Sequence, residues 1–194
     1  MSRASVSGML KKLARTRPGM VHHIRYRGVG LTPAGERAAL QIVRHHRLLE
    51  RFLSERLGFS WDQVHSEADR LEHVISEDLE ERIAAQLGNP AVDPHGEPIP
   101  RRDGSLPRLK EVALTDLAPG RRAYVSRVAD QEPELLRYLA EIGLHLHARL
   151  QVTEKGPFEG PVHVRVQGDR RTHTLSRRVT DHIYVAVGTP QPRR

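Results

Sequence analysis

The chain contains no cysteine in 194 residues. That excludes disulfides and thiolate ligands, so any metal site must use nitrogen, oxygen or thioether donors. Aromatics are scarce, with one Trp, four Tyr and three Phe, which argues against base stacking as the main mode of nucleic-acid recognition. No apolar run approaches the ~18 residues of a transmembrane helix, and the N-terminal stretch lacks the apolar segment of a secretory signal. These absences fit a cytoplasmic protein with no membrane partner. Positive charge, by contrast, is plentiful: the formal net charge is +7 and the pI about 10.3. This balance favours an anionic partner, nucleic acid first. The length allows one or two domains with a real core.

The chemistry is densest in His65-Ser-Glu-Ala-Asp69-Arg-Leu-Glu72-His73. A helix is expected here, introduced by Ser60-Trp61-Asp62 and reaching about Ile75. At about 100° per residue, His65, Asp69, Glu72 and His73 fall within roughly a third of its circumference. His46 and Glu50 sit at i,i+4 spacing on the preceding helix, and an antiparallel pair could join the two sets, as helix bundles do around metals. Histidine and glutamate on a helix are more often a solvated face, and periodicity alone leaves both readings open.

Residues Ser2 to Arg15 read as a short basic amphipathic helix, with Val6, Leu10 and Leu13 on one side, ended by Pro18-Gly19. Met20 to Leu31 reads as two short strands turning around Arg27-Gly28. A helix followed by a small basic hairpin is the second half of a winged helix-turn-helix. Its helix N-terminus, with Ser and Arg side chains, would enter the major groove, and the hairpin arginines would meet phosphate or the minor groove. The bracing helix that such a module needs is missing before it, so the true start is expected to lie upstream of the recorded one. Thr32-Pro33 then opens a helix that Gly58 stops, and Ser76 opens another ending at Gly88. Three helices with broad apolar faces suit a bundle with a dimer interface.

Residues 89–107 are rich in proline, glycine and charge and read as a linker. Within them Asp93, His95 and Glu97 read as turn residues rather than ligands. From residue 108 onward short alternating strands, interrupted by a helix from Pro133 to Ile142, suggest a five-stranded SH3-type barrel. Arg165, Arg170, Arg171 and His173 are most simply its solvated faces. The expected architecture is thus α+β and multidomain. It comprises a partial winged helix-turn-helix (1–31), a three-helix dimerisation and metal domain (32–88), the linker (89–107) and an SH3-like β-barrel (108–194).

Several stretches together resemble the diphtheria-toxin-repressor family of iron- and manganese-dependent transcriptional repressors. They are Ser5-Val-Ser-Gly-Met-Leu-Lys-Lys-Leu13, Arg27-Gly-Val29, Leu31-Thr-Pro-Ala-Gly-Glu36, Arg47-Leu-Leu-Glu50, Val64-His65, Glu67-Ala68, Leu71-Glu72-His73-Val74 and Pro94-His-Gly-Glu-Pro98-Ile-Pro100. The C-terminal part is similar to the module of a ferrous-iron-transport accessory protein. The resemblance implies two neighbouring divalent-metal sites. His46, Glu50 and His65 match an ancillary site, to which Glu132, or else Glu134, could add an acidic ligand. Asp69, Glu72 and His73 match most of a regulatory site, which in the family is completed from a first helix not contained in this chain. Where Asp69 stands, iron-sensing members tend to carry cysteine and manganese-sensing ones glutamate. The harder oxygen and imidazole set favours Mn²⁺ over Fe²⁺.

The resemblance also implies a homodimer on a palindromic double-stranded DNA operator. Ser2, Arg3, Ser5 and Ser7 would face bases or backbone, with Lys11, Lys12 and Arg27 on phosphates. A metal-binding dimer without competent DNA binding is the alternative. A metallohydrolase is weaker, because no nucleophile, separate general base or phosphate-cradling loop is evident.

Overall fold

The computed structural model describes residues 3–24, 26–129 and 131–188. Helix α1 (Arg3–Arg15) is followed by an antiparallel hairpin of β1 (Val21–Ile24) and β2 (Gly28–Leu31), paired from Val21↔Leu31 to Ile24↔Gly28. The hairpin is fastened to the next helix at one point. Thr32 N–H donates to Met20 O at 3.0 Å, and the Thr32 hydroxyl donates to Gly19 O at 2.6 Å. The same hydroxyl accepts from Gly35 N–H as an N-cap. Gly35 is needed there, since a Cβ would stand 1.9 Å from Met20 O.

Helix α2 (Pro33–Leu57) ends at Gly58, whose φ of 74° gives the left-handed cap expected of glycine. Helices α3 (Val64–Leu71) and α4 (Glu77–Gln86) pack on it, and Ser76 caps α4. Leu48, Leu49, Leu53, Val64, Ala68, Ile83 and Ala84 form the shared core, joined by Ile99.

Two expectations need correction here. Helix α3 starts at Val64 and stops at Leu71. Beyond it Val74 N–H bonds back to Leu71 O, so the chain tightens into a turn instead of helix to Ile75. Residues 92–100, expected as linker, are packed: Asp93, His95, Gly96, Ile99 and Pro100 are buried. Val92 pairs with Pro98 across the loop.

The C-terminal part is one six-stranded antiparallel sheet in the order β3-β8-β4-β5-β6-β7. Its strands are β3 (Val112–Ala113), β4 (Arg122–Val128), β5 (Arg149–Lys155), β6 (Val162–Val166), β7 (His173–Leu175) and β8 (Ile183–Ala186). Helix α5 (Pro133–Glu141) precedes β5, and the four-residue α6 (Arg177–Thr180) lies before β8. Side chains from Leu114 beside one edge to Leu175 at the other share one core with Leu136 and Leu139 of α5. The sheet must therefore curl, which is compatible with an SH3-like domain. Five strands were expected. The sixth was not legible because β3 and β7, at two and three residues, are too short to show a period of two.

Candidate metal centre

Helix α2 presents His46 and Glu50 one turn apart toward α3, and the packing of Leu49 and Leu53 against Val64 and Ala68 fixes the facing distance. His46 stands at the middle. Its Nε2 lies 3.0 Å from Glu50 Oε1 and 3.0 Å from His65 Nδ1. Its Nδ1 lies 2.8 Å from Glu72 Oε2 and 3.4 Å from Asp69 Oδ1. One imidazole thus joins two ligand groups, His46/Glu50/His65 and His46/Asp69/Glu72, in each of which the donor atoms lie within 4.8 Å of one another. These are five of the six helix residues singled out by spacing. His73 diverges with the turn after Leu71; its side chain is 68% exposed and stands 3.3 Å from Glu72 Oε1. Glu132 occupies the N-cap position of α5 and belongs to no such group among the described residues.

A third group comes from the loop read as turn residues. Asp93 and His95 are completely buried and share the 4.8 Å limit with Glu50. The turn is real: Asp93 Oδ1 accepts from His95 N–H at 2.8 Å and Glu97 N–H at 2.9 Å. Its other oxygen faces inward. His95 Nε2 lies 2.7 Å from Trp61 O and donates to it, which turns Nδ1 toward Glu50 Oε2 at 3.8 Å. Glu50 Oε2, Asp93 Oδ2 and His95 Nδ1 have no hydrogen-bond partner despite their burial. A histidine whose outer N–H is tied to a carbonyl while its inner nitrogen faces carboxylates is built as metal ligands usually are. Three buried nitrogen or carboxylate-oxygen atoms without a hydrogen bond, held only by long ion-pair contacts of 3.8 Å within the group and 3.9 Å from Arg47 Nε to Asp93 Oδ2, fit a divalent cation.

The electrostatics show how much negative charge is gathered here. Burial alone would lower His46, yet the hydrogen bonds and charges of Glu50 and Glu72 raise it from 6.5 to about 9. Burial would raise Glu50, but the hydrogen bond from His46 and the charge of nearby His95 hold it well below the usual carboxylate range. Asp93 is pushed from 3.8 to about 7 by burial and then by the charge of Glu50. Protons on these groups and a divalent ion would therefore compete for one place.

The centre is wired to its surroundings. His45 Nδ1 lies 3.3 Å from Glu72 O and its Nε2 2.6 Å from Glu80 Oε2 on α4, where Arg44 also binds Glu80 at 2.6 Å. On the other side, Val128 N–H of β4 donates to His95 O at 2.8 Å. Gly96 permits that docking, since a Cβ would stand 2.1 Å from Ser126 O. Arg127 joins Glu97 and Glu111 and covers the Tyr184 ring at 3.6 Å.

Residues 32–101 match the model of the iron dependent repressor metal binding and dimerisation domain, and residues 112–187 that of the FeoA domain. A solved structure titled as a manganese-dependent transcriptional repressor complex with manganese is 41% identical. The match has a TM-score of 0.85 and covers 95% of this chain and 85% of that one. The chain belongs to the family of iron- and manganese-dependent transcriptional repressors. Within that family, the iron-dependent repressor IdeR of Mycobacterium leprae (strain TN) is 36% identical over 149 residues, 70% of this chain. The chain spans 64% of that protein's length. The diphtheria toxin repressor of Corynebacterium diphtheriae is 39% identical over 87 residues, 45% of this chain and 38% of that protein. Repressors of this family bind divalent metals and are not enzymes.

Of the residues expected to meet DNA, Ser2 lies outside the described residues and Arg3 opens α1. Ser5, Ser7, Lys11 and Lys12 are exposed along α1, and Arg27 is exposed at the hairpin turn.

Proposed function

We propose that this chain is a divalent-metal-gated, DNA-binding transcriptional repressor acting as a homodimer, with Mn²⁺ preferred over Fe²⁺. The observation that carries this reading is His46, one nitrogen of which faces each of two groups of histidine and carboxylate side chains from α2, α3 and the turn after it. His46, Glu50 and His65 would hold one ion; Asp69 and Glu72, with His73 swung inward, a second. Asp93 and His95 extend the first group through Glu50. A bound ion supplies the positive charge that offsets repulsion among these carboxylates. The donors are oxygen and imidazole throughout, which suits Mn²⁺, although copper or zinc would bind at least as tightly and must be excluded by availability.

The chain's own residues carry the consequence outward. Settling Glu72 settles its carbonyl against His45, and His45 holds Glu80 on α4. Ile42, Val74 and Leu79 leave apolar surface exposed around this region, which supports a dimer face. At the other end α2 is clamped through Thr32 and Gly35 to the hairpin, so the pose of α1 follows α2. In this reading α1 and the hairpin form the recognition helix and wing of a winged helix-turn-helix, and two copies would read a palindrome. Metal and DNA affinities are then reciprocally coupled.

The test is an anaerobic Mn²⁺ titration of the chain, with ions bound per subunit measured beside the affinity for duplex DNA. At least two ions per subunit and tighter DNA binding on loading are expected. No bound ion, or loading that leaves DNA affinity unchanged, would overturn the proposal.

A further inference from the structure

Three arginines of the C-terminal sheet share one outward face. Arg122 of β4 stands opposite Gln151 of β5, and Gln151 opposite Arg165 of β6; Arg149 lies opposite Tyr124. Adjacent strands are about 4.8 Å apart, so the three side chains leave the sheet within roughly 10 Å of one another. Ala123, Leu150, Val164 and Val166 alternate with them and are buried beneath.

All three arginines are exposed, and among the described residues none of their guanidinium groups has a hydrogen-bond or ion-pair partner. They surround a concavity of about 490 Å³ floored by Gln151, Gln167 and Gly168. Asp169 also borders it, but its carboxylate is taken by Arg171 and His173. Several arginines elsewhere are paired, Arg44 with Glu80, Arg47 with Glu97, Arg127 with Glu111 and Arg137 with Asp62, whereas on this face three stand together with none. None of the three stands directly opposite another, where like charges would be destabilising, so they share the face as diagonal neighbours around Gln151. This face therefore gathers cations without internal compensation.

Charge along the chain is segregated in the same sense. Residues 32–107 carry 9 Lys or Arg against 14 Asp or Glu, whereas residues 108–194 carry 15 against 10. Residues 1–31 carry seven basic residues and no acidic one. Acidic residues outnumber basic ones in the segment that carries the candidate metal centre, and basic residues outnumber acidic ones on both sides of it.

We propose that the face formed by Arg122, Arg149 and Arg165 is a second DNA contact, binding backbone phosphates of the duplex held by the N-terminal module. This rests on the repressor reading above. Guanidinium forks match phosphate oxygens, and a duplex offers one charge per ~1.7 Å of axis. An acidic protein surface would satisfy the same charge. The duplex is favoured because the acid-free N-terminal segment of this chain is already directed at one.

The experiment measures duplex affinity of the Mn²⁺-loaded full chain between about 50 and 200 mM salt. It compares the wild type with Arg122→Gln/Arg149→Gln/Arg165→Gln and with a charge-matched control, Arg108→Gln/Lys110→Gln/Arg178→Gln, exposed on the same module. Each phosphate contact contributes about 0.9 to the slope of log affinity against log salt. The face variant should therefore lose about 2–3 from the slope, with the control unchanged and all three melting alike. Equal slopes for wild type and face variant would overturn the proposal, as would equal losses in variant and control. So would a wild type that binds polyglutamate as tightly as duplex, with the face variant losing both, because the face would then be a site for acidic polypeptides. A wild type with no metal-dependent DNA binding at all would instead defeat the repressor reading.

Discussion

Replacing Glu50 by Gln keeps the side chain's size and removes one charge at the point where two ligand groups meet. Glu50 is fully buried, with Oε1 3.0 Å from His46 Nε2 and 3.2 Å from His65 Nδ1. In the metal-free protein the change weakens hydrogen bonds to a charged group, each worth about 1.5–3 kcal/mol. It also relieves repulsion with Asp93, whose carboxyl the Glu50 charge helps to hold at about 7. The net expectation is a loss of roughly 1–3 kcal/mol, or a melting temperature lower by about 3–10 °C for a chain of this size.

The larger effect should come with metal. A ligand at 100 times its Kd stabilises by about 2.7 kcal/mol, so Mn²⁺ should raise the wild-type melting temperature by roughly 5–10 °C. The variant should lose most of that rise and bind fewer ions. Circular-dichroism melts with and without Mn²⁺, together with equilibrium dialysis, measure both. Glu55→Gln is the control, five residues further along α2 and so on another face, paired with Arg51 at 2.6 Å instead of facing the centre. A Glu50→Gln protein with the wild-type ion count and the wild-type thermal rise would refute the assignment of Glu50 as a shared ligand.

Three further outcomes are expected. His46 titrates at about 9 against an ordinary 6.5; being raised, its contribution to metal-free stability is whole below 6.5 and is lost as pH rises through about 9. Between those values melts of the metal-free protein should fall, and apparent Mn²⁺ affinity should climb as the competing proton leaves; an affinity flat across that window would contradict the competition. Lys12→Ala should weaken binding to all duplex sequences and reduce the salt slope by about 0.9, and an unchanged slope would remove Lys12 from the phosphate contacts. Gly96→Ala places a Cβ 2.1 Å from Ser126 O at a φ of 89°, so denaturant unfolding should show a loss of at least about 2 kcal/mol, and a wild-type midpoint would mean that the loop shifts freely off β4.

The helical part of this protein was legible because its boundaries are written in capping chemistry. Thr32-Pro33, Gly58 and Ser76 each satisfy or terminate backbone groups locally, and each stands where the residue types place it. The His46–Glu50 and His65–Asp69 pairs were legible for a related reason: spacing of four residues on a helix fixes a shared face before any tertiary contact is known. His73 escaped this logic because its position depends on α3 ending two residues before it, at Leu71, and no glycine or proline marks that end.

Asp93 and His95 escaped it more completely, and their case shows where pattern reading stops. Asp-Pro-His-Gly is what a tight turn looks like, and the turn exists, held by Asp93 Oδ1. What sequence cannot display is where the second oxygen of the carboxylate points. Once the turn fixes Oδ1, Oδ2 points in a set direction, and only the packing of the loop between α2 and β4 makes that direction the buried face of Glu50. A residue satisfied locally and a residue recruited to a distant cluster are therefore the same residue here. Its two roles are separable by experiment. Asp93→Asn keeps an oxygen for the turn, so it should fold with the loop in place while lowering metal affinity, whereas Asp93→Ala should lose both. Metal affinity equal to wild type in the Asn variant would leave Asp93 a turn residue alone.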